Sequence, residues 1–546
     1  MKKLLFIFCI LSIPFSLEAE KKDWGRVSAS LESLNHVYVD DADNGFLPVT
    51  SGDPKYNYLR GSRYASNNYL KVDYYKGRLS AGLQLEGYFP TTIGYPISES
   101  MLSLSNLYVS WTDNDYSVTA GTFYEQLGSG LLFRSWEDRA LGLNNAILGA
   151  RATYKFQDYF SLKAFWGIPH ASKVSQIVNS ITPTFSLGLS QVNVAAFDFA
   201  LSLSDCIGWK NLSWSLEGSI LNKFEKVSDY LLELGYPRNR LGWSGRMNFD
   251  YDGLYFRGEY VGAGKQYSLD KGIVNGSAQL VEFGYNNKGL GVSVTGRRLY
   301  YAQQKIQINS SKISEVVNTI SYCPALCTQY TYMLTSLTPY VPISGDEEVG
   351  GQIDAFYNFR RGTKLGGKRG MKVHANFSTY FSVNRNYAHK NAVMRMWDFS
   401  VDVEKQWTKK FKSTFLYSAQ DYNEEENGLY IGQSHTIVAD LLYKWTSKFS
   451  TRLELQYLTS KDYQKDWMAA LLEVSLAPHW SVFASDMYNH GGSKMHYYNA
   501  GLSYSMRWLR VAAGYGRYRA GFICSGGVCR EIPAYTGANI TLTATF

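Results

Sequence analysis

After its first twenty residues, the 546-residue chain lacks any long run of consecutive apolar residues. An α-helix needs roughly 18 to 20 such residues to cross the hydrocarbon core of a bilayer. We therefore expect no transmembrane helix in the mature chain. Proline is also scarce, with 13 residues, whereas tyrosine is abundant, with 43. Tyrosine suits membrane interfaces, because one end of its ring is apolar and the other can be hydrated.

The first 19 residues are typical of a secretory signal peptide. Lys2 and Lys3 precede an apolar core from Leu4 to Phe15, and we expect cleavage near Ala19. Residues 20–546 would then form a single exported domain. The chain's net charge of +8 is spread along its length, which predicts no nucleic-acid partner.

The last stretch, Pro533 to Phe546, alternates strictly between apolar and polar residues. A period of two indicates a β-strand with one apolar and one polar face. Ile540, Leu542 and Phe546 lie on the apolar face. Such a segment resembles the closing strand of bacterial outer-membrane β-barrels, where it is also the insertion signal read by the barrel-assembly machinery. A soluble edge strand would show the same alternation, so the other strands have to distinguish the two.

Strand-like segments begin at Trp24, and their connections are alternately short and long. Short turns include Gly77 and Asp252-Gly253, whereas long connections include residues 125–145 and 303–349. Short periplasmic turns alternating with long external loops are typical of outer-membrane barrels. The sequence therefore predicts an all-β, transmembrane antiparallel barrel in the bacterial outer membrane, with about 24 strands (a range of about 22 to 26).

Several strands carry charges on the face opposite to the apolar one. From Arg395 to Glu404, for example, Trp397 and Phe399 alternate with Asp398 and Asp402. Such charges would be costly in a dry sandwich core but suit a wet lumen. A barrel of this size encloses a lumen too wide for the wall side chains to fill. The lumen is therefore an open channel or is blocked in part by inserted loops.

Five cysteines follow the signal peptide. Cys323 and Cys327 form one close pair, and Cys524 and Cys529 form another. Close pairs in an exported chain predict local disulfide bonds, here on the external side. Metal binding is the alternative, but neither pair has histidine or cysteine partners at ligand spacing. Cys206 is left over, in a turn expected on the periplasmic side.

Residues 121–149, GTFYEQLGSGLLFRSWEDRALGLNNAILG, interrupt the strand alternation. Their glycines allow positive φ or a close backbone approach. Arg134 and Arg139 suit planar pairs with carboxylates, and Glu137 is the expected partner. Three interpretations stay open: a structural loop folded into the lumen, a binding site, and a catalytic site. The residues of this candidate plug or ligand cluster are Tyr124, Glu125, Gln126, Gly128, Gly130, Arg134, Glu137, Asp138, Arg139, Asn144 and Asn145.

The longest connection, residues 303–349, is rich in tyrosine, including Tyr322, Tyr330 and Tyr332. Loops of this length are usually functional or disordered. The tyrosines indicate either packing inside the barrel mouth or a surface for a partner. Elsewhere, no GxSxG, HExxH or Ser/His/Asp grouping is present, so we predict no enzymatic activity, metal or cofactor. A barrel hydrolase without a visible motif is the alternative.

Three stretches carry a resemblance to a known family: FYEQLGSGLLFRSWEDRALGLNNA (residues 123–146), CPALCTQYTYMLTSLTPY (323–340) and FYNFRRGTKLGGKRGMKV (356–373). Together they resemble an uncharacterised family of outer-membrane β-barrels from Bacteroidota. The resemblance implies a barrel of about this length with no assigned activity. It supports the fold and leaves the function open.

Two functions from different classes fit these observations. The first is a channel or transporter with a loop-gated lumen, which the charged alternate faces favour. The second is a non-conducting scaffold, or a subunit of an envelope secretion, assembly or surface-lipoprotein complex. Strands that begin at Trp24 leave no room for a preceding plug domain, which argues against energised uptake. The expected partners are outer-membrane lipids, the barrel-assembly machinery and, for the second function, a surface lipoprotein or envelope complex.

Overall fold

The computed structural model describes residues 24–48, 59, 62–96, 101–171, 184–186, 188–268, 271–308, 315–337, 347–382, 393–424, 429–461 and 465–546. The expected signal peptide, residues 1–19, and its cleavage site lie outside these residues.

Within the described residues, twenty-four antiparallel strands form one closed barrel. Each strand pairs with the next along the chain, and the last pairs with the first, for example Thr545 with Ser30. The predicted all-β antiparallel barrel of about 24 strands is therefore confirmed. The strands are β1 Arg26–Tyr38, β2 Tyr64–Lys76, β3 Leu79–Tyr88, β4 Met101–Thr112, β5 Tyr116–Phe123, β6 Ile147–Phe156, β7 Phe160–Pro169, β8 Val192–Ser202, β9 Leu212–Glu225, β10 Asn239–Tyr251, β11 Leu254–Ser268, β12 Gly272–Asn287, β13 Leu290–Tyr300, β14 Glu347–Phe359, β15 Met371–Ser382, β16 Val393–Gln406, β17 Phe411–Glu424, β18 Leu429–Lys444, β19 Phe449–Ser460, β20 Trp467–Leu476, β21 Trp480–Tyr488, β22 His496–Ser505, β23 Leu509–Tyr518 and β24 Tyr535–Thr545.

Strand β10 shows how the two faces of the wall differ. Its outward side chains are apolar and exposed, with Leu241 at 60% and Trp243 at 48%. Its inward side chains include Arg240 and Arg246, which are only 3% and 8% exposed. Apolar residues outside and charged residues inside are the reverse of a soluble protein, and they suit a lipid-facing wall around a polar lumen.

The connections divide the barrel into two ends. At the short-turn end, tight turns such as Gly77 and Asp252-Gly253 join the strands with positive φ angles. A slightly longer connection there contains the helix Leu203–Ile207 and the exposed Cys206. In the part of the chain that the structure describes, three connections of the opposite, long-loop end fold back into the lumen. The remaining helices, Asp229–Glu233 and Glu315–Asn318, belong to connections of the long-loop end.

Strand β24 closes the barrel between β1 and β23. Leu542 pairs with Ser33 on one side and Val511 on the other. Ile540 and Phe546 are 43% and 55% exposed, on the outer side of the wall. The two-faced strand read from the sequence is thus present, and its role as an insertion signal stays a prediction.

In the part of the chain that the structure describes, no helix has the length and apolar character needed to cross a membrane.

Candidate functional site

Three segments from the long-loop end fill the lumen, and each is named here by its residues. The plug is residues 124–145, between β5 and β6. The strap is residues 301–308 and 315–337, between β13 and β14. The hairpin is residues 521–532, between β23 and β24, with strands Gly521–Ser525 and Val528–Ile532. The prediction that inserted loops block part of the lumen is confirmed.

The plug folds through two short ladders. Gln126–Leu127 pairs with Phe133–Arg134, and Glu137–Asp138 pairs with Leu143–Asn144. The first ladder turns through Gly128 at a φ of 56°. A Cβ atom at this position would clash with a carboxylate oxygen of Glu259 on the wall. Gly128 therefore serves both a left-handed turn and a close approach of the plug to the barrel.

One side of the plug is packed dry against the wall. Leu127, Leu132 and Phe133 are fully buried, in a cluster of twenty buried residues. The cluster joins the plug and the strap to strands between β5 and β13, which we call the near wall. Part of the lumen is therefore a folded apolar core, although the sequence predicted a wet lumen.

The plug is also tied to the wall by ion pairs. Glu125 accepts a hydrogen bond from Lys163 at 2.9 Å and lies 3.4 Å from Arg151. Arg139 pairs with Glu137 at 2.7 Å and with Glu32 of β1. Partial burial works against the charge on Arg139, but these two carboxylates raise its pKa. Plug charges and wall charges thus neutralise one another.

Arg134 differs from the prediction. The expected ion pair with Glu137 is confirmed for Arg139 and is wrong for Arg134, because Arg139 takes that carboxylate. The guanidinium of Arg134 lies instead over the ring of Tyr322 in the strap, 3.8 Å from the centroid, and 5.6 Å from that of Trp136. The backbone N–H of Arg134 also donates to the carbonyl of Ile320 at 2.9 Å. Arg134 therefore joins the plug to the strap.

The other predicted cluster residues make contacts within the plug, to the wall and to the strap. Tyr124 donates to Asn144 at 3.0 Å, and Asn144 donates in turn to Glu86 of β3 at 3.0 Å. Asn145 donates to the strap carbonyl of Thr319 at 2.7 Å. The remaining short contacts are Gln126 to the Gly128 carbonyl at 2.7 Å, the Leu141 N–H to Asp138 at 3.1 Å, and the Tyr322 N–H to the Gly130 carbonyl at 2.8 Å.

The strap crosses the lumen from the plug to strands β15 to β20, which we call the far wall. Two small apolar clusters join them, one around Leu334 and Trp467 and one around Tyr380 and Tyr422. Polar contacts lie between and beside these clusters. With the strap residue first, they are the Leu326 N–H to Tyr380 at 2.9 Å, Thr328 with Ser400 at 2.9 Å, Tyr330 to Asp398 at 2.7 Å, Tyr332 to Asp440 at 3.3 Å and the Leu334 N–H to Gln456 at 2.8 Å.

The hairpin packs on both other segments. Its Val528 is buried with Trp136 and Leu141 of the plug. The carbonyl of Gly526 accepts the N–H of Cys323 in the strap at 2.7 Å. The hairpin was not predicted as a lumen segment, although Gly526-Gly527 between two cysteines is a hairpin signal.

The cysteine predictions are half right. Cys524 and Cys529 form the predicted disulfide across the hairpin. Cys323 and Cys327 are free thiols, so their predicted disulfide is wrong. The reason is that the strap passes from one wall to the other between them: Cys323 is buried in the near-wall core and Cys327 packs on the far-wall cluster. Burial raises the pKa of the Cys323 thiol and raises that of Cys327 to about 12.

Strap, hairpin and far wall surround a cavity of about 650 Å³ at the long-loop end, called here the mouth cavity. Its walls include Tyr330, Tyr422 and Phe522. The described residues contain no group of three or more His, Cys, Asp or Glu side chains that could hold a metal ion. The mouth cavity was not predicted, because its walls come from segments far apart in the chain.

A profile for a family of unknown function, DUF6029, matches residues 1–546. The chain belongs to this family. The resemblance to an uncharacterised family is therefore confirmed as far as DUF6029, and the assignment to Bacteroidota stays a prediction. No curated protein matches this DUF6029 chain.

Several solved outer-membrane barrels are similar to the DUF6029 chain. The siderophore receptor PirA from Pseudomonas aeruginosa shares 9% identity, with 96% of this chain and 81% of that one covered and a TM-score of 0.41. OpdQ from the same organism shares 10% identity, with 80% of this chain and 98% of OpdQ covered and a TM-score of 0.35. The translocation pore of the P pilus usher PapC shares 9% identity, with 95% of this chain and 99% of that one covered and a TM-score of 0.34. Scores this low carry no argument about function, so the function is argued from the chain's own geometry.

Proposed function

We propose that this chain is an outer-membrane channel or transporter whose lumen is closed at rest and opens when the strap leaves the far wall. The observation that carries the proposal is the unequal attachment of the inserted segments. A single cluster of twenty buried residues holds the plug and the first part of the strap to the near wall. On the far wall the strap has two small clusters and several single hydrogen bonds.

The free energy needed to break the attachment differs between the near wall and the far wall. Opening the near wall would expose a large apolar core to water, at about 25 cal/mol for each Å² of apolar surface. A hydrogen bond of the far wall can be exchanged for one to water, at a net cost of about 0.5–1.5 kcal/mol between neutral groups and about 1.5–3 kcal/mol where one group is charged. Tyr330 and Tyr332 bind Asp398 and Asp440 in this exchangeable way. The far side of the lumen is therefore the side that opens.

Conductance in planar bilayers tests the proposal. The double variant Tyr330→Phe, Tyr332→Phe removes two hydroxyls from the strap–far-wall contact and should open more often than the wild type. Tyr255→Phe is the matched control, because it removes a tyrosine–carboxylate bond to Glu282 within the wall. Inserted barrels that stay silent in the wild type and in the double variant would contradict a channel.

A non-conducting scaffold is the second candidate, and the size of the near-wall core favours it. A core of this kind keeps the lumen sealed without any gate. In that case the barrel would serve an envelope complex or a surface lipoprotein, which should co-purify with it. Neither candidate assigns the chain an enzymatic activity.

We place the short-turn end in the periplasm and the long-loop end outside the cell, in line with the usual lengths of outer-membrane turns and loops. β24 would then carry its insertion signal from the periplasm. Phe546 supports this role, since its side chain lies on the outer face beside Trp508, at 5.7 Å between ring centroids. Phe546→Ala should lower the amount of barrel in the outer-membrane fraction, whereas Phe522→Ala, in a loop, should not.

A further inference from the structure

We propose that the mouth cavity is a binding site for a neutral saccharide. The cavity has a volume of about 650 Å³, within the range of small-molecule sites. It opens to solvent, because Gln329, Ser336 and Phe522 on its walls are exposed.

The lining carries no charge. In a chain with 19% charged residues, none of the described residues that line the cavity is Asp, Glu, Lys, Arg or His. Its polar groups are neutral hydroxyls and amides, from Thr328, Gln329, Thr335, Ser336 and Ser525. An ionised ligand would lose its hydration here without a charged partner, which is costly. A ligand rich in hydroxyls can both donate to such groups and accept from them.

Two of these polar groups are open to a ligand. Among the described residues, no hydrogen-bond partner is found for the amide of Gln329 or the hydroxyl of Ser525. The hydroxyl of Ser336 donates to the carbonyl of Tyr332 at 2.8 Å and keeps its acceptor capacity. Both donors and acceptors are therefore presented to the cavity.

Aromatic rings supply the other half of a saccharide site. Phe522 is 49% exposed at the rim of the cavity. Tyr322 also lines it, and the guanidinium of Arg134 covers one face of this ring at 3.8 Å. Phe522 therefore offers the open ring face, and the electron-rich face of such a ring attracts the weakly positive C–H groups of a pyranose. The aromatic ring thus suits the C–H groups of a sugar, and the neutral hydroxyls and amides suit its hydroxyl groups.

In the closed state, the cavity walls are already formed before a ligand arrives. The Cys524–Cys529 disulfide closes the hairpin on one side. On the other side, Asp398 holds Tyr330 and Gln420, each at 2.7 Å. A preformed wall lowers the entropy cost of binding. The strap itself forms one wall of the cavity, so a bound ligand contacts the segment whose release we propose to open the lumen. A role of this site in uptake rests on the proposed function.

The test is binding by the full-length barrel, purified in detergent, to an array of oligosaccharides. The array holds neutral hexose, uronic-acid and amino-sugar oligomers, with an uncharged oligoalanine peptide as a further probe. We expect binding to neutral oligosaccharides alone. Titration calorimetry with the best neutral oligomer should show a loss of roughly tenfold in affinity for Phe522→Ala, as for an exposed ring that anchors a ligand.

Two further variants sharpen the result. Tyr230→Ala removes a ring that is 61% exposed at the same end of the barrel but outside the cavity, and it should bind as the wild type does. Gln329→Glu places a negative charge in the lining and should admit the amino-sugar oligomers. If no neutral oligosaccharide binds, if charged oligomers or the peptide bind equally well, or if Phe522→Ala has no effect, the proposal is wrong.

Binding and conductance separate this proposal from the previous one. A barrel that binds neutral saccharides but never conducts would contradict transport and still support the binding site. A barrel that conducts but binds no neutral saccharide would contradict the binding site alone.

Discussion

The guanidinium of Arg134 in the plug lies over the ring of Tyr322 in the strap, 3.8 Å from the ring centroid. This contact joins the segment fixed to the near wall to the segment that crosses the lumen. Two backbone hydrogen bonds flank it, from Arg134 to Ile320 at 2.9 Å and from Tyr322 to Gly130 at 2.8 Å. The plug therefore sets the position of the strap.

Arg134→Lys should loosen the strap while leaving the barrel folded. Lysine keeps the charge but loses the planar group that stacks on the ring. A cation–π contact of this kind contributes about 0.5–2 kcal/mol. We expect faster hydrogen exchange at strap residues 320–323, measured by mass spectrometry. Arg369→Lys, in the turn between β14 and β15, is the control, and equal exchange in both variants would contradict the role of Arg134.

Arg139→Ala should lower the stability of the barrel through its carboxylate partners. Breaking a buried ion pair costs about 3–5 kcal/mol, but Arg139 is 27% exposed, so solvent screening reduces the expected loss to about 1–2 kcal/mol. Thermal unfolding in detergent measures it. Arg78→Ala removes a 56% exposed arginine paired with Asp113 at the short-turn end and should cost less than about 0.5 kcal/mol. A larger loss for the Arg78 variant would count against a structural role of Arg139.

Gly128→Ala should destabilise the plug more than backbone strain alone explains. Gly128 and Gly362 both have positive φ, at 56° and 87°. At either position, an alanine in the left-handed backbone conformation costs about 1–2 kcal/mol of stability. Only at Gly128 would the Cβ also meet the wall, at Glu259 and Arg246. Thermal unfolding of both variants measures the difference, and equal losses would contradict tight packing of the plug against the side chains of Glu259 and Arg246.

The thiols should differ sharply in reactivity. Cys206 is exposed, whereas burial raises the pKa of Cys323 and Cys327. Because a raised pKa lowers the thiolate fraction at any pH below it, we expect rapid alkylation of Cys206 at pH 8 and of the other two only after denaturation. Peptide mapping without reductant should also recover the Cys524–Cys529 disulfide. A peptide with Cys323 bonded to Cys327 would contradict the position of the strap.

The barrel was predictable from the sequence because its strands and turns are determined by residues close together in the chain. Period-two alternation and turn length gave the strand number, as in β10 and β24. The plug was predictable as a segment because glycines and charges interrupt that alternation. The dry packing of the plug against the near wall was not predictable, since this core forms only when Phe133 meets residues from other strands.

Partners remote in the chain could not be predicted. Arg134 was assigned to the nearby Glu137, yet its partner Tyr322 lies in another loop. Cys323 and Cys327 are only four residues apart in sequence, but the strap carries them toward opposite walls. In both cases local spacing gave the wrong answer because the path of a loop through the lumen is a tertiary property.

The central claim is that release of the strap from the far wall opens the lumen, and a reversible cross-link tests it most directly. The hydroxyls of Thr328 and Ser400 lie 2.9 Å apart, so Thr328→Cys with Ser400→Cys should form a disulfide, in a background with Cys206, Cys323 and Cys327 changed to serine. Ser110→Cys with Thr119→Cys is the matched control within the wall, where the hydroxyls are also 2.9 Å apart. In planar bilayers, we predict that the oxidised strap cross-link abolishes channel openings and that reductant restores them, while the control conducts in both states. Openings that persist under a complete strap cross-link would contradict the claim.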